Sequence, residues 1–155
     1  MIERIISGGQ VGADIAGLRA GKRLGLRTGG WMPKGFRTGD GDRPDYRDEY
    51  SMREHASRLY PPRTYKNVEM SDGTVRIAHD FQSPGEICTM KAITQYGRPH
   101  FDAPVSLENR MILVDPRELV KWVDLEGIST LNVAGNATKW LEPLVEEWLV
   151  KAFAS

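Results

Sequence analysis

The chain opens with an Ile-rich run, Ile2 to Ser7, that passes directly into Gly8-Gly9-Gln10-Val11-Gly12 and then into a helical pattern from Ala13 to about Leu24. Strand, glycine turn and helix in that order are the start of a parallel α/β sheet, and few other architectures begin this way. Ile15 and Leu18 share one helix face, while Ala16, Gly17, Ala20 and Gly21 make the helix thin; Gly25 stops it.

The pattern repeats along the chain. Leu26 to Thr28 reads as a short second strand ending at Gly29-Gly30-Trp31-Met32-Pro33-Lys34-Gly35, which is too rich in Gly and Pro for the interior of an element. Thr74 to His79 reads as a strand, followed by Ser83-Pro84-Gly85 and a helix from about Glu86 to Tyr96. Arg110 to Asp115 is expected to be a strand, Pro116 to Val123 a helix, Ser129 to Ala134 the last strand, and Lys139 to Phe153 the last helix. Residues 98–109 fit either a strand or an inserted loop. The resulting fold class is α/β, a mainly parallel sheet in a single domain, which suits 155 residues with 40% hydrophobic content.

Residues 34–66 stand apart. They hold eight basic and six acidic residues and four of the five tyrosines, Tyr46, Tyr50, Tyr60 and Tyr65. A short helix near 48–59 inside an otherwise long loop is expected. Its six arginines (Arg37, Arg43, Arg47, Arg53, Arg58, Arg63) suit a lid or subunit contact at the sheet's C-terminal edge, not a core element, and one or two could reach a bound phosphate. A solvated loop is the alternative.

Charge and cysteine content narrow the function. Lys+Arg and Asp+Glu both number 21, so neither a nucleic-acid coat nor a polybasic membrane binder is expected. No apolar run approaches the ~20 residues of a membrane span, and Met1 to Ile6 enters a strand at once, so no signal peptide is expected and the protein is read as cytoplasmic. One cysteine, Cys88, and the scattered His55, His79 and His100 offer no metal-ligand spacing, so no metal site is expected.

Four turns are candidate binding elements. Ser7-Gly8-Gly9-Gln10-Val11-Gly12, with Asp14 just after it, could present N–H groups and a helix dipole to an anion, or could simply be a tight turn. It is neither a dinucleotide fingerprint nor a P-loop. Gly30, Trp31 and Lys34 offer a stacking face and a cation; packing of Trp31 is the alternative. Ser83, Pro84, Gly85 and Thr89 open the second long helix, with Ser83-Pro84-Gly85-Glu86 also reading as a capping box. Gly135 and Asn136 close the last strand, and Asn136 fits a helix cap or a ligand contact. Catalytic constellations are poor: Asp14, Asp72 and Glu86 could each act as a base, but each also has a capping or solvated explanation.

Ile5 to Asp14, Gly29 to Gly35, Asn67-Val68 with Ser71-Asp72-Gly73-Thr74, and Leu131 to Gly135, in that order, resemble the "putative molybdenum carrier" family, a branch of the SLOG superfamily of Rossmann-like nucleotide-binding domains. The resemblance spans nearly the whole chain. It implies a Rossmann-like open sheet with helices on both faces, a homo-oligomer, and a small anionic ligand at the strand C-ends: a nucleotide, a molybdenum cofactor or molybdate. Ser71 and Asp72 join the site on this basis.

The chain also departs from the family. Val11 and Ile15 replace the usual Thr and Arg of Gly-Gly-Gln-Thr-Gly-x-Asp-Arg. Laid on the P-G-G-x-G-T-x-x-E pattern of the related phosphoribohydrolases, the chain keeps Pro84, Gly85 and Thr89 but has Ala92 in place of the catalytic Glu. A binding or carrier domain is therefore favoured over an enzyme acting on a nucleotide or nucleoside phosphate. A third reading, an interaction module that has lost its ligand, draws on Val11 and Ile15.

Overall fold

The computed structural model describes residues 1–154. The elements in chain order are β1 (Arg4–Ser7), α1 (Ala13–Arg23), β2 (Arg27–Met32), β3 (Arg37–Thr38), β4 (Gly41–Asp42), α2 (Tyr46–Tyr50), β5 (Met52–Glu54), α3 (Tyr60–Glu69), β6 (Gly73–Ala78), α4 (Pro84–Tyr96), β7 (His100–Ser106), β8 (Met111–Ile112), α5 (Pro116–Glu126), β9 (Thr130–Gly135) and α6 (Leu141–Phe153). Seven strands form one sheet in the order β5-β2-β1-β9-β6-β7-β8, parallel except for the β7–β8 pair. The last strand of the chain is thus the middle one, with Ile5 beside Leu131 and Leu131 beside Gly73. The α/β, mainly parallel, Rossmann-like class expected from the sequence is the one found.

Helices cover both faces. On one side α1 packs on α6 and α6 on α5; on the other, α3 packs on α4. The larger core lies under the first group, where Ile5, Val75, Ile77, Leu131 and Val133 meet Ala13, Ala16, Ala20, Leu119, Leu141, Val145 and Leu149. The thinness of α1 has a steric cause. A Cβ on Gly17 would lie 2.7 Å from Cβ of Val133, and one on Gly21 would lie 2.8 Å from Cγ2 of Thr28. Among the described residues no helix is long and apolar enough to cross a membrane.

Three elements differ from the sequence expectation. First, β2 runs on through Gly29, Gly30 and Trp31 to Met32 instead of ending at Thr28. Gly30 has φ +129°, and a Cβ there would sit 2.1 Å from the carbonyl oxygen of Ser7. Glycine is what allows this strand to lie so close to β1, so here it marks close approach of two backbones and not a loop.

Second, residues 34–66 are not a long loop, and the short helix is not at 48–59. The segment contains the β3–β4 hairpin, α2, the edge strand β5 and the greater part of α3. Phe36, Tyr46, Tyr50 and Met52 are buried with Ile15, Leu18 and Met32 in a second core cluster. The polar arginines stay outside while apolar stems and rings beneath them pack, as in Arg43 over the ring of Tyr46 and Arg47 over that of Phe36. Composition alone missed this because it averages the two layers.

Third, the strand expected over 110–115 is only β8, paired antiparallel to β7, and β7 accounts for most of the unassigned 98–109 segment.

Candidate functional site

A cavity of about 780 Å³ opens at the C-terminal ends of β1, β6 and β9, between the N-termini of α1 and α4. Ligands in open α/β sheets bind at this edge. Of the residues singled out in the sequence, Gly8, Gln10, Val11, Asp14, Ser83, Pro84, Gly85, Glu86, Cys88, Thr89, Gly135 and Asn136 line it.

The others lie elsewhere. Ser7 is buried, its hydroxyl donating to the Asp14 carbonyl at 2.8 Å and accepting from the Gly9 N–H at 3.2 Å. Gly9 packs against Met32, and Gly12 against the carbonyl of Asn136. Gly30 is the strand contact already described. Trp31 is half-buried, with the cations of Lys66 and Arg53 5.6 and 5.8 Å from its ring centre. Lys34 is exposed beside Ser57, whose carbonyl accepts the Lys34 N–H at 2.8 Å. Ser71 and Asp72 sit at the opposite edge of the sheet, where the Asp72 carboxylate accepts the N–H groups of Ser129 and Thr130 at 3.0 and 2.8 Å. Asp72 thus ties β6 to β9, while the Ser71 hydroxyl donates to the Val68 carbonyl at the end of α3 at 3.0 Å.

The first glycine turn is not an open anion hole. The Gln10 N–H donates to the Asp14 carboxylate at 3.3 Å, the Gly12 N–H to the Glu142 carboxylate at 3.0 Å, and the Ala13 N–H to the Asn136 carbonyl at 3.2 Å. Two protein carboxylates thus occupy the positive end of α1, where an anion would otherwise be stabilised. The start of α4 differs: Ser83 makes no side-chain cap bond, so the expected capping box does not form, and a Cβ built on Gly85 meets nothing within 4 Å.

Asn136 acts neither as a helix cap nor, in this geometry, as a free side chain. Its Oδ1 accepts the N–H groups of His79 and Asp80 at 2.8 and 3.1 Å, and its Nδ2 donates to the Asp80 carbonyl at 2.9 Å. It therefore holds the β6–α4 loop, and with it the open end of α4, against the end of β9.

Several lining residues escaped the sequence reading. Arg63, on α3, reaches across to Asp14, with Tyr60 one turn before it and Thr64 next to it in the chain, both also lining the cavity. The hairpin turn brings Gly39 and Asp40 to the rim, held by the Gln10 side chain donating to the Arg37 carbonyl at 2.9 Å and by Lys139 3.1 Å from Asp40. His79 stacks on Trp140 with ring centres 5.5 Å apart and shares a 2.9 Å contact with the Thr138 hydroxyl. Arg63 was one of six arginines in a segment with no visible period, so nothing in the sequence distinguished it.

Charge in the cavity is mostly negative: Asp14, Asp40, Asp80 and Glu86 against Arg63. Burial raises the Asp14 carboxyl above its ordinary range, with Arg63 pulling the other way. Burial also pushes Glu86 up to about 7, helped by the negative charge of Asp14. Half-buried Cys88 has its thiol raised by burial as well, which disfavours the reactive thiolate. Ala92, in place of the phosphoribohydrolase Glu, is fully buried beside Val68 and Ile93. Among the described residues no three His, Cys, Asp or Glu side chains are grouped to hold a metal ion.

The circularly permuted YpsA SLOG family matches residues 5–151, nearly the entire chain and every element of the sheet that builds the cavity. The chain belongs to this family. Among solved structures, that of the "Putative molybdenum carrier protein" from Syntrophus aciditrophicus SB superposes with a TM-score of 0.83 and 30% identity, covering 99% of this chain and 96% of that one. The SLOG resemblance read from the sequence motifs is thereby established. No curated protein matches the chain.

Proposed function

We propose that this SLOG domain binds a nucleotide-like anionic ligand, its phosphate on the first turn of α4 and its body in the cavity between α1, α3 and α4. The observation that carries the reading is the contrast between the two helix ends: protein carboxylates fill the end of α1, whereas the end of α4 has no side-chain cap and lies at the cavity wall. A cavity of about 780 Å³ is in the range for a nucleotide-sized molecule. The name of the Syntrophus protein supports a carrier role, and a pterin-type molybdenum cofactor shares the required chemistry, a phosphate on a hydrogen-bonding ring system. Bare molybdate fits less well, because it would occupy only the phosphate position and leave most of a cavity of about 780 Å³ unfilled.

A second reading, hydrolysis of a nucleoside phosphate, draws on one observation: Glu86 shares the cavity wall with Asp14, and burial together with the negative charge of Asp14 pushes its carboxyl up to about 7, where a group can exchange a proton near neutral pH. Against it, the usual Glu is Ala92, in the core.

Native mass spectrometry of the freshly purified protein, with thermal shifts for a panel of nucleoside phosphates, phosphate and molybdate, tests both. A retained nucleotide or cofactor, or a nucleotide-specific rise in Tm, supports binding. Turnover of the panel moves the reading to an enzyme. A response to none of them overturns both.

A further inference from the structure

Among the described residues two buried side-chain polar atoms find no hydrogen-bond partner in the protein, Nε of Arg63 and Oε1 of Glu86. Both side chains line the same cavity. Glu86 is 2% exposed, so its carboxyl is not turned to bulk solvent. Buried polar groups in native proteins are almost always paired, and two exceptions on one cavity wall are places where a bound molecule can complete the pairing.

The rest of the local bonding explains why these two atoms are left over. Arg63 spends Nη1 on the Asp14 carboxylate at 3.3 Å and leaves Nε free. Its guanidinium carbon lies 5.5 Å from the ring centre of Tyr60, which limits how it can turn. Behind Glu86, Arg76 donates to its backbone carbonyl at 3.3 Å, while the Arg76 head is bound in a two-pronged contact to Asp102 at 2.8 and 2.6 Å. Arg76 therefore braces the Glu86 backbone but is already committed to another carboxylate.

The ligand must supply a donor to Glu86 and an acceptor to Arg63. An alcohol is both at once: its O–H donates to a carboxylate oxygen while its lone pairs accept from an N–H. A flat lactam edge fixes its donor and acceptor in one plane, whereas hydroxyls rotate their O–H bonds and tolerate more variation in where the two protein atoms lie. Glu86 also sits in the first turn of α4, whose open end is the phosphate site proposed above. A group that carries a phosphate and, a few bonds away, two adjacent hydroxyls is a ribose 5-phosphate unit.

Resting on the proposed nucleotide reading, we propose that Glu86 and the Nε of Arg63 form a ribose-hydroxyl subsite, so that this domain selects ribonucleotides over deoxyribonucleotides and over bare oxyanions. Glu86 is a specificity residue here, distinct from the helix end that takes the phosphate.

Calorimetric titration of the full chain with ribonucleoside 5′-monophosphates, their 2′,3′-dideoxy counterparts and inorganic phosphate tests this. The expected result is a loss of about tenfold or more in affinity for the dideoxy compound relative to its ribonucleotide, because two buried groups stay unpaired. Glu86→Gln should bind the ribonucleotide more weakly and shrink that ratio. Equal affinity of the native protein for both sugars overturns the subsite while leaving the nucleotide reading intact. Binding of neither nucleotide overturns both. The sugar comparison on the native protein decides even if the variant does not fold.

Discussion

Arg63 Nη1 lies 3.3 Å from Oδ2 of Asp14, with the two side chains 14% and 8% exposed, and this pair joins α3 to the first turn of α1 across the mouth of the cavity. An ion pair so withdrawn from water costs a great deal to break on one side only, because the remaining charge stays buried. Arg63→Met is expected to destabilise the protein by about 3 kcal/mol, and Asp14→Asn with Arg63→Met by less than the sum of the single changes. Urea unfolding of the two single variants and the double variant measures this. Strict additivity would show that the pair does not act as a unit.

Glu86 should make stability depend on pH. Its carboxyl titrates near 7 in the folded protein against an ordinary value of 4.5, so between those values the folded state holds a proton that the unfolded state has lost. Stability then falls as pH rises from about 4.5 to about 7 and levels off above, by roughly 3 kcal/mol over the window. Asp14, also raised by burial, adds in the same direction. Glu86→Gln should flatten much of this slope and be the more stable protein at pH 8, as followed by denaturant midpoints at each pH.

Gly9→Val should unfold or severely weaken the protein instead of merely blocking a ligand. Gly9 has φ +66°, and a Cβ there would lie 2.8 Å from the sulfur of Met32 in the second core cluster. A β-branched residue is strained in that conformation and has no space to enter. The expected loss is about 3 kcal/mol or more, read as a drop in Tm. A variant with native Tm would place Gly9 outside the packed turn.

Asn136→Ala removes the side chain that holds His79, Asp80 and so the α4 entry in place. It should cost about 2 kcal/mol and raise hydrogen exchange through residues 79–83. Lys34→Ala, at an exposed position whose hydrogen bonds run through its backbone to Ser57 and Arg58, should stay within about 0.5 kcal/mol of the native chain. Similar effects of the two would mean that the loop is held by other contacts.

Trypsin should cut slowly within residues 34–66 despite the six arginines. Phe36, Tyr46, Tyr50 and Met52 anchor that segment in a buried cluster, so cleavage requires local unfolding. Rapid cuts at several of those arginines, compared with the rate at the exposed Arg117 at the start of α5, would show that the segment is not packed.

The order of elements and the parallel sheet were legible because they are local. Ile5-Ile6 before Gly8-Gly9, or Leu131 to Val133 before Gly135, carries its own period and stop signal within a few residues. The turns that approach the cavity were legible for the same reason, since glycine before a helix marks a strand's C-end. The sequence could not say which turn stays open. Glu142, 130 positions beyond Gly12, takes that N–H, and Asp14 takes that of Gln10, so the more glycine-rich turn is closed while Ser83-Pro84-Gly85 remains uncapped. Nor could it choose Arg63 from six arginines, or place Gly30 inside a strand against Ser7. Each of these depends on which distant groups compete for the same donor or the same space, and that competition exists only once β9 has entered the middle of the sheet and α3 has packed on its face beside α4.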